Sequence, residues 1–354
     1  MPVTADHLPA FGPAPAAAPA GRRVLGRALA RPSLASLVGL VVVAVFFGLQ
    51  APELFTAGGL ASVLDVAALI GIGGVPVALL LIAGQFDLSV GVVSVASSLV
   101  TALLIQEAGW GVWPALVASL ATALVVGLVN GLLVVSTGLP SFLVTLATFL
   151  VLEGATLAGT HLVAGSARVE GLDAARGWGS AVTLFGSTMQ LGDGRFRVSL
   201  LWWLGVTALA AWVLWRTRFG NAVLASGGAR RAARELGVPV ATTTVTLFCA
   251  TAVAGWLLGT LGLVRLGGVQ VSPGLGSEID FIVVAVIGGC LLTGGYGSAV
   301  GAAIGALIYA VVRQGITLAG WDPRWFQTFL GVLLLVALLA SGIVRRRLKA
   351  VPRS

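Results

Sequence analysis

Residues 64–106 read LDVAALIGIGGVPVALLLIAGQFDLSVGVVSVASSLVTALLIQ. Two apolar stretches in this segment, 64–83 and 90–106, approach the roughly 20 residues that an α-helix needs to cross the hydrocarbon core of a bilayer. Gly71, Gly73, Gly74 and Pro76 interrupt the first stretch, and such interruptions are tolerated in lipid only where protein or a water-filled path covers the backbone. The segment therefore predicts two membrane spans and favours a transporter or a channel.

The composition of the whole chain places most of it in a membrane. Hydrophobic residues make up 58% of the 354 residues and charged residues 10%, whereas soluble proteins carry about 25% charged residues. The 49 glycines agree with this interpretation, because small residues let helix backbones approach closely in lipid. The net charge of +8 comes from arginines that flank apolar segments and form no face of their own, which argues against nucleic acid as a partner.

The fold class that follows is all-α, a polytopic bundle of about ten transmembrane helices. Windows of span length predict helices over 33–50, 64–83, 90–106, 113–135, 140–158, 198–215, 240–259, 279–293, 299–318 and 326–343. The bundle domain then covers residues 33–343. Residues 1–32 are predicted to be a disordered cytoplasmic tail, and 344–354 a basic cytoplasmic tail.

The distribution of basic residues predicts the orientation of the bundle. With ten spans, fourteen of the 21 basic residues lie on the side that carries both termini, against seven on the other side. Cytoplasmic loops carry the excess of lysine and arginine. Both termini are therefore expected in the cytoplasm.

Two connections are long enough to carry a function. Residues 159–197 are predicted to be a polar outer connection, either a solvated loop or a docking surface for a partner. Residues 216–239 form the long inner loop, in which a short helix is expected over 229–236, ended by Gly237 and Pro239. This basic helix can dock on another protein or contact anionic lipid.

Several kinds of chemistry are missing from the sequence. A nucleotide-binding P-loop requires GxxxxGK[ST], and the only lysine, Lys349, lies outside any such motif. No Ser-His-Asp set and no metal-ligand spacing is present, so we expect no catalytic residue, no metal and no cofactor on this chain. Three acidic residues near span ends keep an ion-coupled secondary transporter open as an alternative: Asp65, Asp87 and Glu153.

The segment 83–91, AGQFDLSVG, resembles the Gly-Gly-Ile-Asp-Leu-Ser-Val-Gly signature of bacterial ABC permeases for ribose, xylose and galactose. It matches at Gly84, Asp87, Leu88, Ser89, Val90 and Gly91 and departs at Gln85 and Phe86. In the same order as in that family follow GLPSFLVTLAT (138–148), the inner loop FGNAVLASGGARRAARELGV (219–238) and SEIDFIVVAVIGGCLLTGGYGSAVGAAIGALI (277–308). Departures at Glu153, Asn221 and Ala222 leave the particular sugar open.

The resemblance implies an importer for a monosaccharide, a pentose or a hexose, with nucleosides or branched-chain amino acids as alternative cargo. It implies a periplasmic sugar-binding protein, a second permease copy or paralogue, and two cytoplasmic ABC ATPase subunits that carry ATP and Mg²⁺. The inner loop would contact these ATPases through residues that share its glycine-rich and basic character: Gly220, Gly227, Gly228, Arg230, Arg231, Arg234, Glu235 and Gly237.

The signature has a physical interpretation of its own. Gly84 and Gly91 permit tight backbone geometry around a helix break, and Asp87 and Ser89 are good N-cap residues for a helix that begins near Val90. A capped helix start is the simplest role for this segment, and a role of Asp87 in gating or coupling is the sharper hypothesis. The polar residues expected along a path, or else as interhelical hydrogen-bond partners, are Gln85, Asn130 and Thr145.

Overall fold

A computed structural model describes residues 32–165, 168–270 and 277–349. The predicted N-terminal tail lies outside this part of the chain except for Pro32, which begins the first helix. Of the predicted C-terminal tail, residues 344–349 continue the last helix and 350–354 lie outside the described residues.

The described residues are mostly helical. Twelve helices organise them: α1 (Pro32–Gln50), α2 (Ala57–Ile82), α3 (Val90–Gln106), α4 (Val112–Thr137), α5 (Ser141–Ala164), α6 (Ser199–Arg216), α7 (Arg218–Gly228), α8 (Arg230–Glu235), α9 (Val240–Leu266), α10 (Glu278–Ile287), α11 (Ala299–Leu318) and α12 (Trp325–Lys349). A 3₁₀ turn, Pro52–Phe55, joins α1 to α2.

Seven of the described helices are long and apolar enough to cross a membrane: α1, α2, α4, α5, α6, α9 and α11. Helix α3, with 17 residues, and the apolar part of α12, Trp325–Leu339, are shorter. The chain is therefore a multi-pass membrane protein, as predicted, while ten spans and cytoplasmic termini stay predictions.

The predicted span 279–293 is wrong as a continuous helix. Helix α10 ends at Ile287, and a glycine-rich connection follows up to Ser298. Ten residues of α-helix extend only about 15 Å, half of the roughly 30 Å hydrocarbon core. Apolar content continues through Cys290 and Leu292, which is why hydropathy alone does not detect the end of the helix.

Helix α2 lies at the centre of the bundle, against α6, α9, α10 and α11. The expected interruption at its glycines and proline is absent, because α2 runs without a break through Pro76. The glycines instead allow close packing: a Cβ at Gly73 would lie 2.5 Å from the Phe281 ring, and one at Gly74 2.5 Å from Val284, both on α10. The actual backbone breaks lie in 83–89 and 288–298.

The connection after α5 is shorter and more structured than predicted, because α5 continues to Ala164. It contains strands β1 (Arg168–Val169), β2 (Thr188–Leu191) and β3 (Gly194–Arg197), a 3₁₀ turn (Leu172–Ala174) and a helical turn (Trp178–Ala181) that a π-turn (Val182–Gly186) continues. Strands β2 and β3 form an antiparallel hairpin, and β1 pairs antiparallel with β4 (Val269–Gln270), which follows α9.

An ion-pair cluster fastens this connection to the bundle. The Asp65 carboxylate on α2 lies 2.9 Å from Arg265 Nη1 at the end of α9 and 3.3 Å from Arg197 Nε at the end of β3. Ser199 Oγ is 3.4 Å from the other carboxylate oxygen. Asp65 therefore has two cationic partners that hold α2, α9 and the hairpin together.

Candidate functional site: two helix breaks and an inner segment

The first helix break is the signature segment between α2 and α3. Helix α2 ends at Ile82, Gly84 adopts the left-handed conformation with φ +75°, and α3 begins at Val90 as predicted. Only glycine takes that conformation without strain. The segment thus turns the chain from one helix into the next within seven residues.

The buried side chain of Asp87 forms hydrogen bonds that stabilise this break. It is 2% exposed, and its Oδ1 accepts hydrogen bonds from Ser89 N at 2.8 Å and Ser89 Oγ at 2.6 Å. Its Oδ2 accepts from Thr251 Oγ1 of α9 at 2.6 Å. Ser89 occupies the N-cap position of α3, but its side chain makes no capping bond, so Asp87 rather than Ser89 stabilises this helix start.

The predicted path residues surround the same break. Asn130 Nδ2 on α4 donates to Ser89 Oγ at 3.0 Å, and Thr145 Oγ1 on α5 accepts from Leu88 N at 3.1 Å. Gln85 is buried within the segment. In this conformation Asn130 and Thr145 act as interhelical hydrogen-bond partners.

Two further bonds, which sequence reasoning did not anticipate, complete the attachment. Ser141 Oγ accepts from Phe86 N at 2.9 Å, and Thr148 Oγ1 donates to Asn130 Oδ1 at 2.6 Å. Ser141 and Thr148 were visible in the sequence, but their partners were not: the backbone of Phe86, 55 residues from Ser141, and the side chain of Asn130 on α4. The signature segment is therefore fixed to α4, α5 and α9 by side chains.

The second helix break, 288–298, lies between α10 and α11. Gly289, Gly294 and Gly295 all have positive φ, at +94°, +77° and +76°. Ser298 Oγ accepts from Gly301 N at 3.2 Å and caps α11. Gly301 also packs directly on the Gly288 carbonyl, and Gly305 on that of Val284, so α10 and α11 touch backbone to backbone.

The inner loop forms two helices rather than one. The predicted short helix forms as α8, and Gly237 beyond it has φ +79°, as expected for the residue after a helix end. Helix α7 was not predicted; it begins where Thr217 Oγ1 accepts from Gly220 N at 3.1 Å. Gly220 itself packs on the carbonyls of Val213 and Leu214 of α6.

Helix α8 presents its charges outward. Arg231 is 96% exposed in its side chain and lies 3.5 Å from Glu235, while Arg234 is also exposed. Arg230 differs, because its Nε is buried without a hydrogen-bond partner among the described residues. Burial lowers the pKa of the Arg230 guanidinium, and Arg234 lowers this pKa further. The exposed surface of α8 is therefore mainly basic.

Both breaks and the inner segment meet at a cluster of glycines, here called the glycine junction: Gly84, Gly227, Gly228, Gly294 and Gly295. Gly295 N donates to the carbonyl oxygen of Ile82, at the end of α2, at 2.8 Å. A Cβ at Gly227 would overlap that same oxygen and lie 2.5 Å from Gly295 N. Three segments that are far apart in sequence are thus in backbone contact.

Gly91, the last signature residue, lies away from this junction. A Cβ on Gly91 would overlap the Glu278 carboxyl group at the start of α10. Its missing side chain therefore lets α3 approach α10. Of the predicted residues, the structure brings Gly84, Gly227 and Gly228 together, and it places Asp87, Ser89, Asn130 and Thr145 in one hydrogen-bond network.

The described residues form a multi-pass helical bundle in which two helix breaks meet a basic segment, an arrangement that fits a membrane permease. The profile of the family described as branched-chain amino acid transport system/permease component matches residues 59–338. The chain belongs to this family.

Curated relatives align along most of the chain. It is 29% identical to the fructose import permease of Rhizobium meliloti over 89% of its own length and 86% of that protein. It is 29% identical to the ribose import permease of Escherichia coli K12, over 87% of its own length and 92% of that protein. It is 30% identical to the galactose/methyl galactoside import permease of the same strain, over 64% of its own length and 65% of that protein. No solved structure gives a significant match. The resemblance stated from the signature is confirmed.

Proposed function

We propose that the chain is the membrane-spanning subunit of an ATP-binding-cassette importer that moves a monosaccharide across the bacterial inner membrane. Relatives whose names specify fructose, ribose and galactose import support this cargo class, since two of them align with nearly nine-tenths of the chain. Nucleosides and branched-chain amino acids are the alternative cargo, the latter because of the family's description.

The observation that carries the proposal is the glycine junction. A partner that displaces α7 and α8 pushes directly on the end of α2 and on the segment before α11, because Gly227 contacts both without an intervening side chain. Well-packed interiors transmit such displacement and do not absorb it. This arrangement suits a subunit that is driven from outside by another protein.

The relatives' names, all import permeases, support the kinds of partner proposed here. Exposed Arg231 and Arg234 on α8 would contact cytoplasmic ATPase subunits, which carry ATP and Mg²⁺, while this chain binds no cofactor of its own. Helix α8, both termini and the basic flanks would then be cytoplasmic, with ten membrane crossings. A periplasmic sugar-binding protein would deliver cargo to the opposite face, and a second copy or paralogue would complete the path.

The acidic residues give less support to an ion-coupled transporter. Asp65 is paired with two arginines, and Asp87 accepts three hydrogen bonds. In this conformation both carboxylates stabilise contacts between helices and connecting segments. Glu153 lies half-buried in α5.

Uptake measurements in the native host test cargo and energy source together. We expect deletion of the gene to abolish uptake of at least one of ¹⁴C-labelled ribose, fructose and galactose, and expression of the intact chain to restore it. Arsenate, which depletes ATP, should stop this uptake, and proton and sodium ionophores that leave the ATP pool intact should not. Uptake that collapses with the ion gradient while ATP persists would refute the proposal.

A further inference from the structure

A polar cavity of about 330 Å³ lies between α10, α11 and the start of α12. Its functional groups are a carboxylate, two hydroxyls, a guanidinium, an amide and an aromatic ring, from Asp280, Tyr309, Thr317, Arg313, Gln327 and Phe326. Small-ligand sites have volumes of about 300–1,000 Å³, so the cavity suits a ligand at the small end of that range. None of these residues belongs to the signature or to the inner segment.

The cavity extends from the middle of α11 to the start of α12, away from the glycine junction, and Arg313, Thr317 and Gln327 in its lining are exposed. Tyr309 is ten residues along α11 from Ala299, which is about 15 Å from the end near the junction, and Arg313 is about 6 Å further. Helix α10 is ten residues, about 15 Å, long and begins at Glu278, two residues before Asp280. In secondary transporters, substrate sites form where discontinuous helices of this kind begin.

The side chains are joined in a chain of contacts. Tyr309 Oη donates to Asp280 Oδ2 at 2.7 Å, and Arg313 Nη1 donates to Tyr309 Oη at 3.4 Å. The Arg313 guanidinium lies 5.8 Å from the centre of the Phe326 ring, whose edge-to-face partner is Tyr309 at 5.0 Å. Arg313 makes no ion pair within 4 Å among the described residues, so most of its five N–H donors stay available.

Charged residues inside membrane helices are rare and mark substrate paths. Arg313 lies in the second half of the apolar helix α11, and half-buried Asp280 lies in the first turn of α10; both line this cavity. The Asp280 carboxylate provides acceptors and the Arg313 guanidinium provides donors for vicinal sugar hydroxyls, and the Phe326 ring provides a surface for the apolar C–H face of a sugar.

We propose that this cavity is a monosaccharide-binding site on the permease itself, with Asp280 and Arg313 as its hydroxyl-binding residues and Phe326 as its stacking surface. The proposal rests on the proposed function and specifies where in the bundle the sugar is held. The site faces the half of the membrane opposite to α8. Sugar released by a binding protein would therefore occupy it before the inner half opens.

Paired substitutions test the site. We expect Arg313→Gln and Asp280→Asn each to lower uptake of the transported sugar about tenfold or more, because hydrogen bonds to charged groups are among the strong ones. Arg324→Gln and Asp322→Asn are the matched controls: they change the same charges in an exposed pair, 3.8 Å apart, in the connection between α11 and α12. The controls should transport at the wild-type rate. Membrane levels should stay close to wild type in all four variants, and the two controls should also keep the ATPase activity of the purified complex.

A second measurement separates binding from a structural role. In the Gln327→Cys variant, a membrane-impermeant maleimide should label the new cysteine from the outer side, and a saturating transported sugar together with its binding protein should slow that labelling. The unsubstituted chain, with Cys249 and Cys290, gives the background. Unchanged uptake in Arg313→Gln and Asp280→Asn, or absence of sugar protection in a variant that transports, would overturn the proposed site. A wild-type chain that transports none of the sugars would instead refute the proposed function.

Discussion

Gly227→Ala is expected to reduce sugar uptake about tenfold or more while the protein still reaches the membrane. The new Cβ would overlap the Ile82 carbonyl oxygen and lie 2.5 Å from Gly295 N, so α7 must move away from both helix breaks. Overpacking of this kind costs about 1–3 kcal/mol, and more where backbone must move. The Gly295–Ile82 hydrogen bond lies at the same point and would be strained as well. Uptake of labelled sugar at matched expression measures the effect.

Gly228→Ala is the matched control, one residue further along. Its Cβ would have a single neighbour within 4 Å, Gly295 Cα at 3.9 Å, which is an ordinary contact, and its φ is not positive. Both substitutions add one methyl group near the end of the same helix, so helix propensity does not distinguish them. We expect Gly228→Ala to transport normally. Equal uptake by the two variants would show that the glycine junction is not required for coupling.

Asp87→Ala is expected to destabilise the bundle by about 3 kcal/mol or more, because a buried acceptor of three hydrogen bonds is removed. Ser89 N loses its partner inside the protein, and the Thr251 hydroxyl loses its bond between α9 and the signature segment. The membrane level should fall, and the detergent-solubilised protein should melt several degrees lower in fluorescence-detected size-exclusion chromatography. An unchanged melting temperature would contradict this role.

Asp87→Asn distinguishes the two interpretations of the signature. The amide oxygen can keep the bonds from Ser89, and the amide nitrogen can donate to Thr251 Oγ1, whose own proton then goes to the Phe248 carbonyl at 2.9 Å. We therefore expect near-normal folding and transport. A variant that folds normally but does not transport would show that the negative charge itself acts in gating.

The helices were largely predictable from the sequence because apolar windows and arginine flanks are local signals. Helix α3 begins at Val90, and α8 and Gly237 lie where capping residues predicted them. The end of α10 was not predictable, since the apolar residues after Ile287 mask a break that glycine geometry creates. In α2 the glycines predicted a break that does not exist, because they allow close helix packing and leave the helix intact.

The glycine junction could not be predicted from the sequence. Its members, such as Gly84, Gly227 and Gly295, are far apart along the chain, and what joins them is the absence of side chains. A single sequence shows that a glycine is present but not which backbone approaches it. Asp280 and Arg313 went unnoticed for a similar reason, since their shared cavity depends on how α10 and α11 pack.

The decisive test is whether a partner ATPase accompanies this chain. The tagged chain is crosslinked mildly in its native membrane and purified, and mass spectrometry identifies the proteins that co-purify with it. We expect a P-loop ATPase and a periplasmic sugar-binding protein with the wild-type chain. We also expect loss of the ATPase alone when Arg231 and Arg234, both exposed on α8, are changed to glutamate, and retention of both partners in Arg324→Glu. Recovery of a well-folded wild-type chain without any ATPase would contradict the proposed function.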